Sequence, residues 1–499
     1  MKMKASIMRL WSRRLSRRFQ RQLIDVPDVQ LQVLKRLMRS AQHTEFGLKH
    51  HFADIDSPAD VRQAIPLSTY QDHAPYIQKI ADGASDVLWP GSPLYFATSS
   101  GTTSGKKYLP ITREMLNGQF DSTRYCLANF TYRLGLHSAH QGKWVLFADP
   151  PLFQNYGTIK SGALSSILTK EKPKWVNGMS FPSRRVDIIP EYEDKITATA
   201  RETIGQDIRG IVAMPPLLLL YLRKVEELSG KPFHKVFPNM KIISTAGMSF
   251  EPYRDLVQSI VNQRVTYIQT YPASEGYFAF QNEKHDTSMV LMPDSGMFYE
   301  FVPVSEMNLP NPRRLWIGEV EVGVPYVVHI HTCAGLWGYN MGDVVEFTQL
   351  NPPKLQVLGR VGQSLNAFGE HFTQVEVDTA VAKVVRETGF KVTDFALTPV
   401  MITENGLPRH EWFIEFENGA DPNRFSQRLD EILCLQNMCY DDLIRGKALN
   451  PLTISTLKHG SFKKLMLETG RAGTQYKTRR FIQTEEAQLL RRISESITA

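Results

Sequence analysis

The sequence predicts an α/β fold in its larger N-terminal part and a smaller α+β domain at its C-terminal end. Short apolar segments alternate with helical ones between residues 143 and 270, and this alternation is typical of an α/β sheet. From residue 298 onward the segments are β-rich and hairpin-like, and a Pro-Pro pair at 352–353 then breaks the chain. At 499 residues we expect two to four domains, on the basis of about 150 residues each. We place the main boundary between 1–357 and 358–499.

Individual elements follow from local patterns. Pro215-Pro216 opens an apolar helix, because proline is well suited to the first helical turn. The apolar run 143–149 ends at a Pro-Pro pair and suits a buried strand. Residues from Ile65-Pro66 up to residue 97 are expected to be extended. Helices are expected at 29–42, 215–228, 252–262, 372–386, 424–435 and 483–496. Strands are expected at 143–149, 210–213, 241–247, 265–270, 297–302, 324–330, 343–348, 355–359, 393–397 and 410–417.

Most of the positive charge lies at the start of the chain. Residues 1–24 hold eight lysines and arginines and no acid, which leaves a nearly neutral remainder of a chain whose net charge is +7. The charge therefore does not indicate a nucleic-acid-binding body, and we expect no nucleic-acid partner. Apolar residues recur every four positions in this segment and predict an amphipathic basic helix. They are Ile7, Trp11, Leu15 and Phe19.

This basic helix has several possible roles. A membrane-surface helix, a site for an anionic partner and an organelle transit peptide all stay open. We favour a terminal helix that packs on the first domain and keeps its basic face in solvent. No run of 18 apolar residues predicts a membrane span. Four cysteines without a zinc-site spacing suit reduced thiols in a cytoplasmic protein.

The most informative segment is 98–107, which reads Thr-Ser-Ser-Gly-Thr-Thr-Ser-Gly-Lys-Lys. Small residues let backbone N–H groups approach an anion, hydroxyls add donors, and lysines add charge, so the segment predicts a polyphosphate-binding loop. It is not a Walker A loop, because only three residues separate Gly101 from Gly105 and Lys106 is followed by Lys107. Its β-like flanks favour strand–loop–strand over strand–loop–helix. The alternative is an ordinary Ser/Thr/Gly hairpin turn.

Other polar residues are candidates for the same site. Glu275 follows a predicted strand in a tight polar turn and could hold Mg²⁺ beside a phosphate loop; the alternative is an exposed turn glutamate. Asp343 follows a glycine, which suits either a turn or an acceptor for ribose hydroxyls. Arg360 could contact a nucleotide or form a surface ion pair. His329 and His331 share a strand face and could bind a metal, but we favour ordinary sheet histidines.

In this order the motifs resemble the acyl-acid amido synthetase family named after the plant auxin-responsive Gretchen Hagen genes, in its bacterial form. That family belongs to the adenylate-forming enzyme superfamily. The similar segments are 99–110, 271–275, 334–345 and 475–478. The chain departs from the family pattern at three positions. Asn340 stands where arginine is frequent, His371 where lysine is common, and Arg479 where proline is usual.

The resemblance implies a large adenylate-forming N-terminal domain, with mixed β-sheets or a β-barrel and flanking helices. It also implies a small mobile C-terminal domain that rotates about a hinge near 358–362. ATP and Mg²⁺ would be the cofactors, with the 98–107 loop on the β- and γ-phosphates and Glu275 on the metal. The implied catalytic residues are Glu275, Lys107 and Lys477. The implied nucleotide-binding residues are Ser99, Ser100, Gly101, Thr102, Thr103, Tyr271 near the adenine, Ala273, Ser274, Asp343 on the ribose hydroxyls and Arg360.

The implied function is that of an ATP-dependent, AMP-forming ligase. It would activate a carboxylic acid to an acyl-adenylate and conjugate it to an amine, expected to be an amino acid. Transfer to CoA or a carrier thiol is an alternative, and so is a catalytically silent nucleotide-binding homologue. We expect a cytoplasmic monomer with small-molecule substrates and a weak contact of 1–24 with an anionic surface.

Overall fold

The structure is a computed structural model, which describes most of the chain. The described residues are 2–101, 105–173, 176, 178–248, 250–361, 364–365, 367–368, 370, 372–401, 407–417, 419–446, 448–469 and 478–497. They form two compact units. The first comprises Met1–Ala213, Lys224–Gly247 and Arg264–Val357, and the second comprises Met214–Arg223, Met248–Gln263 and Leu358–Ala499. The second unit thus includes two segments from the middle of the sequence besides the C-terminal part.

Helices occur throughout both units. They are α1 (Lys2–Gln22), α2 (Val26–Ala41), α3 (Glu45–Lys49), α4 (Pro58–Ala64), α5 (Tyr70–Ala81), α6 (Arg113–Tyr132), α7 (Leu164–Glu171), α8 (Arg184–Asp187), α9 (Tyr192–Thr203), α10 (Pro215–Ser229), α11 (Phe233–Val236), α12 (Arg254–Val261), α13 (Gln374–Thr388), α14 (Pro422–Gln436), α15 (Met438–Arg445), α16 (Ser461–Glu468) and α17 (Thr484–Ser496). Across the described ranges, none is both long and apolar enough to cross a membrane.

The strands build four sheets. They are β1 (Tyr95–Gly101), β2 (Gly105–Ile111), β3 (Lys143–Leu146), β4 (Gln154–Tyr156), β5 (Ile159–Gly162), β6 (Ser180–Phe181), β7 (Ile208–Ala213), β8 (Ile242–Ala246), β9 (Thr266–Ala273), β10 (Gly276–Gln281), β11 (Met289–Leu291), β12 (Met297–Pro303), β13 (Leu315–Trp316), β14 (Pro325–Thr332), β15 (Tyr339–Leu350), β16 (Pro353–Arg360), β17 (Ser364–Leu365), β18 (Phe372–Thr373), β19 (Val392–Val400), β20 (Arg409–Phe416) and β21 (Thr453–Leu457).

A twelve-stranded mixed sheet dominates the first unit. Its strand order is β13-β12-β14-β15-β16-β11-β10-β9-β8-β7-β3-β6. The strands from β9 to β6 pair in parallel, as the alternation of apolar and helical segments predicts. The hairpin-like region beyond residue 298 forms antiparallel strand pairs at the opposite end of the strand order. The mixed α/β prediction is therefore confirmed, with a large sheet in the N-terminal part.

A second sheet in the first unit carries the Ser/Thr/Gly segment. Its order is β2-β1-β5-β4, and β1 and β2 form an antiparallel hairpin in which Gly101 lies opposite Gly105. The strand–loop–strand prediction is thus confirmed. Phe96 and Leu109, both fully buried, hold the two strands against the core.

The basic segment is helix α1, and it packs on the first unit. The ring of Phe19 lies 5.5 Å from that of Tyr125 in α6 and 5.2 Å from that of Phe280 in β10. Phe19 is fully buried, which is the arrangement that we favoured from the sequence.

The extended conformation predicted after Ile65 is wrong. Helix α5 occupies Tyr70–Ala81 instead, because Thr69 and Asp72 form a capping box at its start. The Asp72 carboxylate accepts a hydrogen bond from the Thr69 backbone N–H at 2.7 Å. This cap stabilises the first turn of α5, and the stabilisation outweighs the helix-breaking tendency of the nearby prolines.

The second unit contains a three-stranded sheet, β19-β20-β21, with α13 and α14 over one apolar face. A buried arginine fastens the segment after residue 477 to this sheet. Arg480 is 2% exposed and donates to Asp378 at 2.7 Å and to Asp394 at 2.8 Å. Its guanidinium also lies 3.8 Å from the ring centre of Phe395. Thr478 donates a further hydrogen bond to Asp394.

Candidate active site

The hairpin β1–β2 brings serine and lysine together. Ser99 pairs with Lys107 across the two strands. Since neighbouring residues of a strand face opposite sides, Lys106 and Lys107 diverge. The Nζ atom of Lys107 lies 5.7 Å from the ring centre of Tyr70, whereas the exposed Lys106 donates to Gln154 at 3.2 Å. The two lysines therefore have different surroundings, and Lys107 is the less exposed of the two.

The predicted acidic turn is a two-residue hairpin. Ala273 at the end of β9 pairs with Gly276 at the start of β10, which leaves Ser274 and Glu275 as the turn. Glu275 is only 8% exposed, so the alternative of an exposed turn glutamate is wrong. The carbonyl of Ala273 accepts a hydrogen bond from Gln119 of α6 at 3.1 Å. Helix α6 follows β2 directly, and this contact therefore ties the turn to the helix that continues the phosphate-loop hairpin.

Two motifs that are far apart in the sequence meet through a hydrogen bond. The hydroxyl of Tyr271, at the end of β9, donates to the carboxylate of Asp343 in β15. The Tyr271 ring stacks on Phe278, with 4.8 Å between the ring centres. Asp343 is 9% exposed. The predicted adenine-side tyrosine and the predicted ribose-binding aspartate are thus in direct contact.

Asp343 lies in a strand and not in a turn. Gly342 has a φ of +73°, a left-handed value that glycine adopts without strain, and it sits within β15. The side-chain oxygen of Asn340 accepts the Gly342 N–H at 2.7 Å. The asparagine that replaces the family's frequent arginine therefore stabilises the local backbone kink just before Asp343.

Three imidazoles hold the backbone that leads into β15. The Nε2 atom of His73 accepts the N–H of Trp337 at 3.1 Å, and the Nδ1 atom of His331 accepts the N–H of Gly338 at 3.3 Å. His329 donates from Nδ1 to the Gly338 carbonyl at 3.3 Å. The role of His73 requires a neutral ring. His73 was not predicted from the sequence as a functional residue. The available signal was its position shortly after Thr69, the N-cap residue of α5.

The electrostatics of this cluster agree with the hydrogen bonds. Burial lowers the pKa of His73 to about 4 and that of His329 to about 4. Burial opposes ionisation of Glu300 as well, but its contacts with His331 and Arg314 outweigh this and lower its pKa to about 2. The Nε2 atom of His331 lies 2.8 Å from the Glu300 carboxylate. The histidines are thus buried structural groups, which is the interpretation we favoured. In the described part of the chain no group of three or more His, Cys, Asp and Glu could hold a metal.

The remaining predicted residues fall outside this arrangement. Arg360 is the last residue of β16, is exposed and belongs to the second unit. Arg479 is partly exposed, and its Nη1 atom lies 3.9 Å from Glu486. Three predicted site residues, Thr102, Thr103 and Lys477, lie outside the described residues, as does His371, one of the departures from the family pattern. Of Ser100 and Gly101 only the backbone is described.

Comparison with known proteins supports the resemblance along the chain. Models of the GH3 family match in three places: the N-terminal domain over residues 15–154, the central domain over 289–360 and the C-terminal domain over 375–486. The jasmonoyl–L-amino acid synthetase GH3.5 of Oryza sativa subsp. japonica is 22% identical, covering 95% of this chain and 95% of that protein. The indole-3-acetic acid-amido synthetase GH3.3 of Arabidopsis thaliana is 25% identical, covering 92% and 90%.

Solved structures show the same fold. The GH3.15 acyl acid amido synthetase superposes with a TM-score of 0.79 at 17% identity, covering 96% of this chain and 95% of that one. A 2-hydroxyisobutyryl-CoA ligase in the postadenylation state gives a TM-score of 0.62 at 14% identity, covering 94% and 92%. The three matching domain models follow one another in order and together span more than half of the sequence. The chain therefore belongs to the GH3 family.

Proposed function

We propose that this protein is an ATP-dependent, AMP-forming ligase that joins a carboxylic acid to an amino acid. The observation that carries the proposal is the hydrogen bond between Tyr271 and Asp343. It unites two motifs of the adenylate-forming superfamily, next to the turn that holds the buried Glu275. Relatives along nearly the whole chain are amido synthetases for jasmonic and indole-3-acetic acids.

The first step is adenylation. The substrate carboxylate attacks the α-phosphate of ATP, forming the acyl-adenylate and releasing pyrophosphate. Asp343 accepts hydrogen bonds from the ribose hydroxyls, with Tyr271 beside the adenine. Lys107 and the 98–107 loop bind the β- and γ-phosphates, where positive charge stabilises the charge that develops on phosphoryl oxygens.

Magnesium fits this site as an ion shared between protein and phosphates. Mg²⁺ is commonly held by one or two carboxylates together with substrate phosphates, and Glu275 is a buried carboxylate at the turn. Bound there, the ion supplies charge neutralisation at the phosphates. Glu275 would be the carboxylate that the protein contributes to holding the ion.

The second step transfers the acyl group. The amine of an amino acid attacks the carbonyl carbon of the adenylate, the amide bond forms, and AMP leaves. We propose that the C-terminal domain (358–499) turns about a hinge near 358–362 for this step, bringing Lys477 towards the adenylate and Arg360 towards the ribose. Transfer to CoA is the second candidate, since a CoA ligase shares the fold.

Pyrophosphate release tests the proposal. The purified protein is incubated with ATP, Mg²⁺ and a panel of acids, with and without mixed amino acids, and separately with CoA. The panel includes jasmonic acid, indole-3-acetic acid, benzoates and fatty acids. Acid-dependent release that one amino acid accelerates would establish the ligase. Acceleration by CoA alone would establish the thioester alternative, and ATP binding without any release would indicate a silent homologue.

Two substitutions separate the roles of the acidic residues. Glu275→Ala should lower the adenylation rate far more than the affinity for ATP, because the metal acts mainly in the transition state. Asp343→Ala should weaken ATP binding by about 10-fold or more, since it removes a charge-assisted hydrogen bond to the ribose. Equal losses of rate and affinity in Glu275→Ala, or an unchanged ATP affinity in Asp343→Ala, would remove that residue from its assigned role.

One further motif bears on the origin of the chain. Gly369-Glu370-His371 is similar to the Gly-Glu-Lys of bacterial members, which supports a bacterial form. The monomeric state and the cytoplasmic location stay predictions. Size-exclusion chromatography with light scattering would measure the first.

A further inference from the structure

Helix α1 presents an arginine face to solvent. Between residues 10 and 22, every exposed residue is an arginine except Leu10. The spacing of these positions is three and four residues, so they line one side of the helix. The exposed arginines are Arg13, Arg14, Arg17, Arg18 and Arg21. We call this set the arginine face.

The arginine face is not neutralised by carboxylates of the described residues, although Arg18 lies close enough to Tyr125 to interact with its hydroxyl group. Within the described ranges, no carboxylate forms an ion pair with any of its five guanidinium groups, whereas many other arginines of the chain are paired. Residues 1–24 contain no acid, and the rest of the protein is nearly neutral. The positive field is therefore concentrated on this one helix.

The opposite side of α1 is used for folding. Ser12, Ser16 and Phe19 are buried, and Phe19 lies between rings of α6 and β10. The helix therefore cannot turn its apolar side towards a bilayer without leaving the protein. Any partner must be bound through the arginine face while α1 stays packed.

We propose that the arginine face docks the protein on an anionic phospholipid bilayer. Clusters of four to eight basic residues on a helix are attracted to anionic headgroups, and guanidinium groups can hold a phosphate with two parallel hydrogen bonds. The geometry also supplies aliphatic side chains beside the arginines. Leu10 is 65% exposed on the same face, and Ile24, just beyond the helix, is 80% exposed. Such side chains can enter the boundary between headgroups and acyl chains.

These aliphatic neighbours favour a bilayer over a nucleic acid. Single-stranded nucleic acids are bound through aromatic side chains on which bases stack, together with basic groups. The exposed residues between 10 and 22 include no aromatic ring, since Phe19 is buried and Trp11 only partly accessible. The surface therefore offers charge and aliphatic contacts without a stacking platform.

Vesicle binding tests the proposal. Full-length protein is sedimented with vesicles of phosphatidylcholine alone or of phosphatidylcholine with 30 to 40 mol% phosphatidylglycerol, a composition on the order of strongly anionic membranes. We expect binding to the anionic vesicles only. It should fall at least about 10-fold between 0.05 and 0.5 M NaCl, because salt screens exposed charges.

A matched pair of variants locates the surface. Arg14→Gln/Arg17→Gln/Arg18→Gln should lower the partition coefficient by about 100-fold, at roughly fivefold per arginine that reaches the headgroups. The control removes three exposed arginines elsewhere in the first unit, with the same change of net charge. Its substitutions are Arg185→Gln, Arg201→Gln and Arg264→Gln, and they should change the partition coefficient less than threefold.

Several outcomes would overturn the inference. Equal losses in the two triple variants would show that net charge alone drives adsorption. Binding to neutral vesicles would show that charge recognition is not involved. Binding to single-stranded RNA but not to anionic vesicles would assign the face to a nucleic acid. Pyrophosphate release in solution is measured in parallel, and because the arginine face lies outside the proposed active site, it should be the same in both variants.

Discussion

The buried Arg480 offers the sharpest test of how the C-terminal segment is held. Replacing it with methionine keeps much of the apolar volume and removes the charge. Two buried carboxylates, Asp378 and Asp394, would then lose the guanidinium that lies 2.7 and 2.8 Å away. Burial already raises the pKa of Asp378 with Arg480 in place, so the carboxylate depends on this partner. Removing one partner of a buried ion pair costs about 3–5 kcal/mol.

Hydrogen exchange measures this loss within the second unit. A global melting curve is less suitable, because the unfolding of a protein with two units is not two-state. A loss of about 3–5 kcal/mol corresponds to a decrease of roughly 10²- to 5 × 10³-fold in the protection of amides in β19 and β20. The control is Arg479→Met. Arg479 is partly exposed and 3.9 Å from Glu486, so the expected decrease is below about fivefold.

The reasoning would be refuted if Arg480→Met lowered the protection of β19 no more than Arg479→Met. A second variant keeps the test decisive if Arg480→Met does not fold. Combining Arg480→Met with Asp378→Asn removes one of the two stranded charges and should restore part of the protection. Failure of this restoration would show that packing against Phe395, and not charge pairing, sets the cost.

Three further predictions concern the first unit. Burial lowers the pKa of His73 to about 4, against 6.5 in the unfolded chain, so about 3 kcal/mol of unfolding free energy is fully present above pH 6.5 and is lost as the pH falls from 6.5 through 4. His73→Asn should flatten that part of the curve of unfolding free energy against pH. Gly338→Ala should lower the unfolding free energy of the first unit, measured by hydrogen exchange, by about 3 kcal/mol, because its φ is +58° and an added Cβ would lie 2.2 Å from a backbone carbonyl oxygen, whereas Gly323→Ala, with φ +78° and open space, should lower it by only about 1 kcal/mol. Lys107→Ala should lower the adenylation rate by roughly 10²- to 10³-fold and Lys106→Ala by less than about threefold in the pyrophosphate assay, and equal effects would contradict the assignment of Lys107 to the phosphates.

The parallel strands of the first unit were predictable because their sequences are short apolar runs. Strands β7 and β8 are buried almost throughout, and most of their residues are accordingly apolar or small. Helix α5 was missed because Pro66 and Pro75 look like breakers. Its capping box was visible in the sequence at Thr69 and Asp72 and would have corrected the prediction.

The contacts within the candidate site could not be predicted from the sequence. Tyr271 and Asp343 belong to strands that are not neighbours in the sheet, so no local pattern reveals their hydrogen bond. The left-handed Gly342 inside β15 depends on the neighbouring strand and resembles a turn in the sequence. The ring of His73 accepts a hydrogen bond from the backbone of Trp337, which lies 264 positions later in the sequence. Such a long-range contact has no signature in composition or periodicity.

The hairpin geometry of the 98–107 segment has a consequence for how phosphates are recognised. In a loop that opens a helix, the aligned peptide dipoles supply about half a positive charge at the helix start, and mutation of one side chain does not remove it. Here Gly105 leads into a strand, and sheets carry little net dipole. Under the proposed function, the attraction for a triphosphate would owe nothing to a helix dipole at this segment and would depend strongly on individual side chains such as Lys107 and on the metal. Nucleotide affinity should then respond strongly to single substitutions and to local protonation.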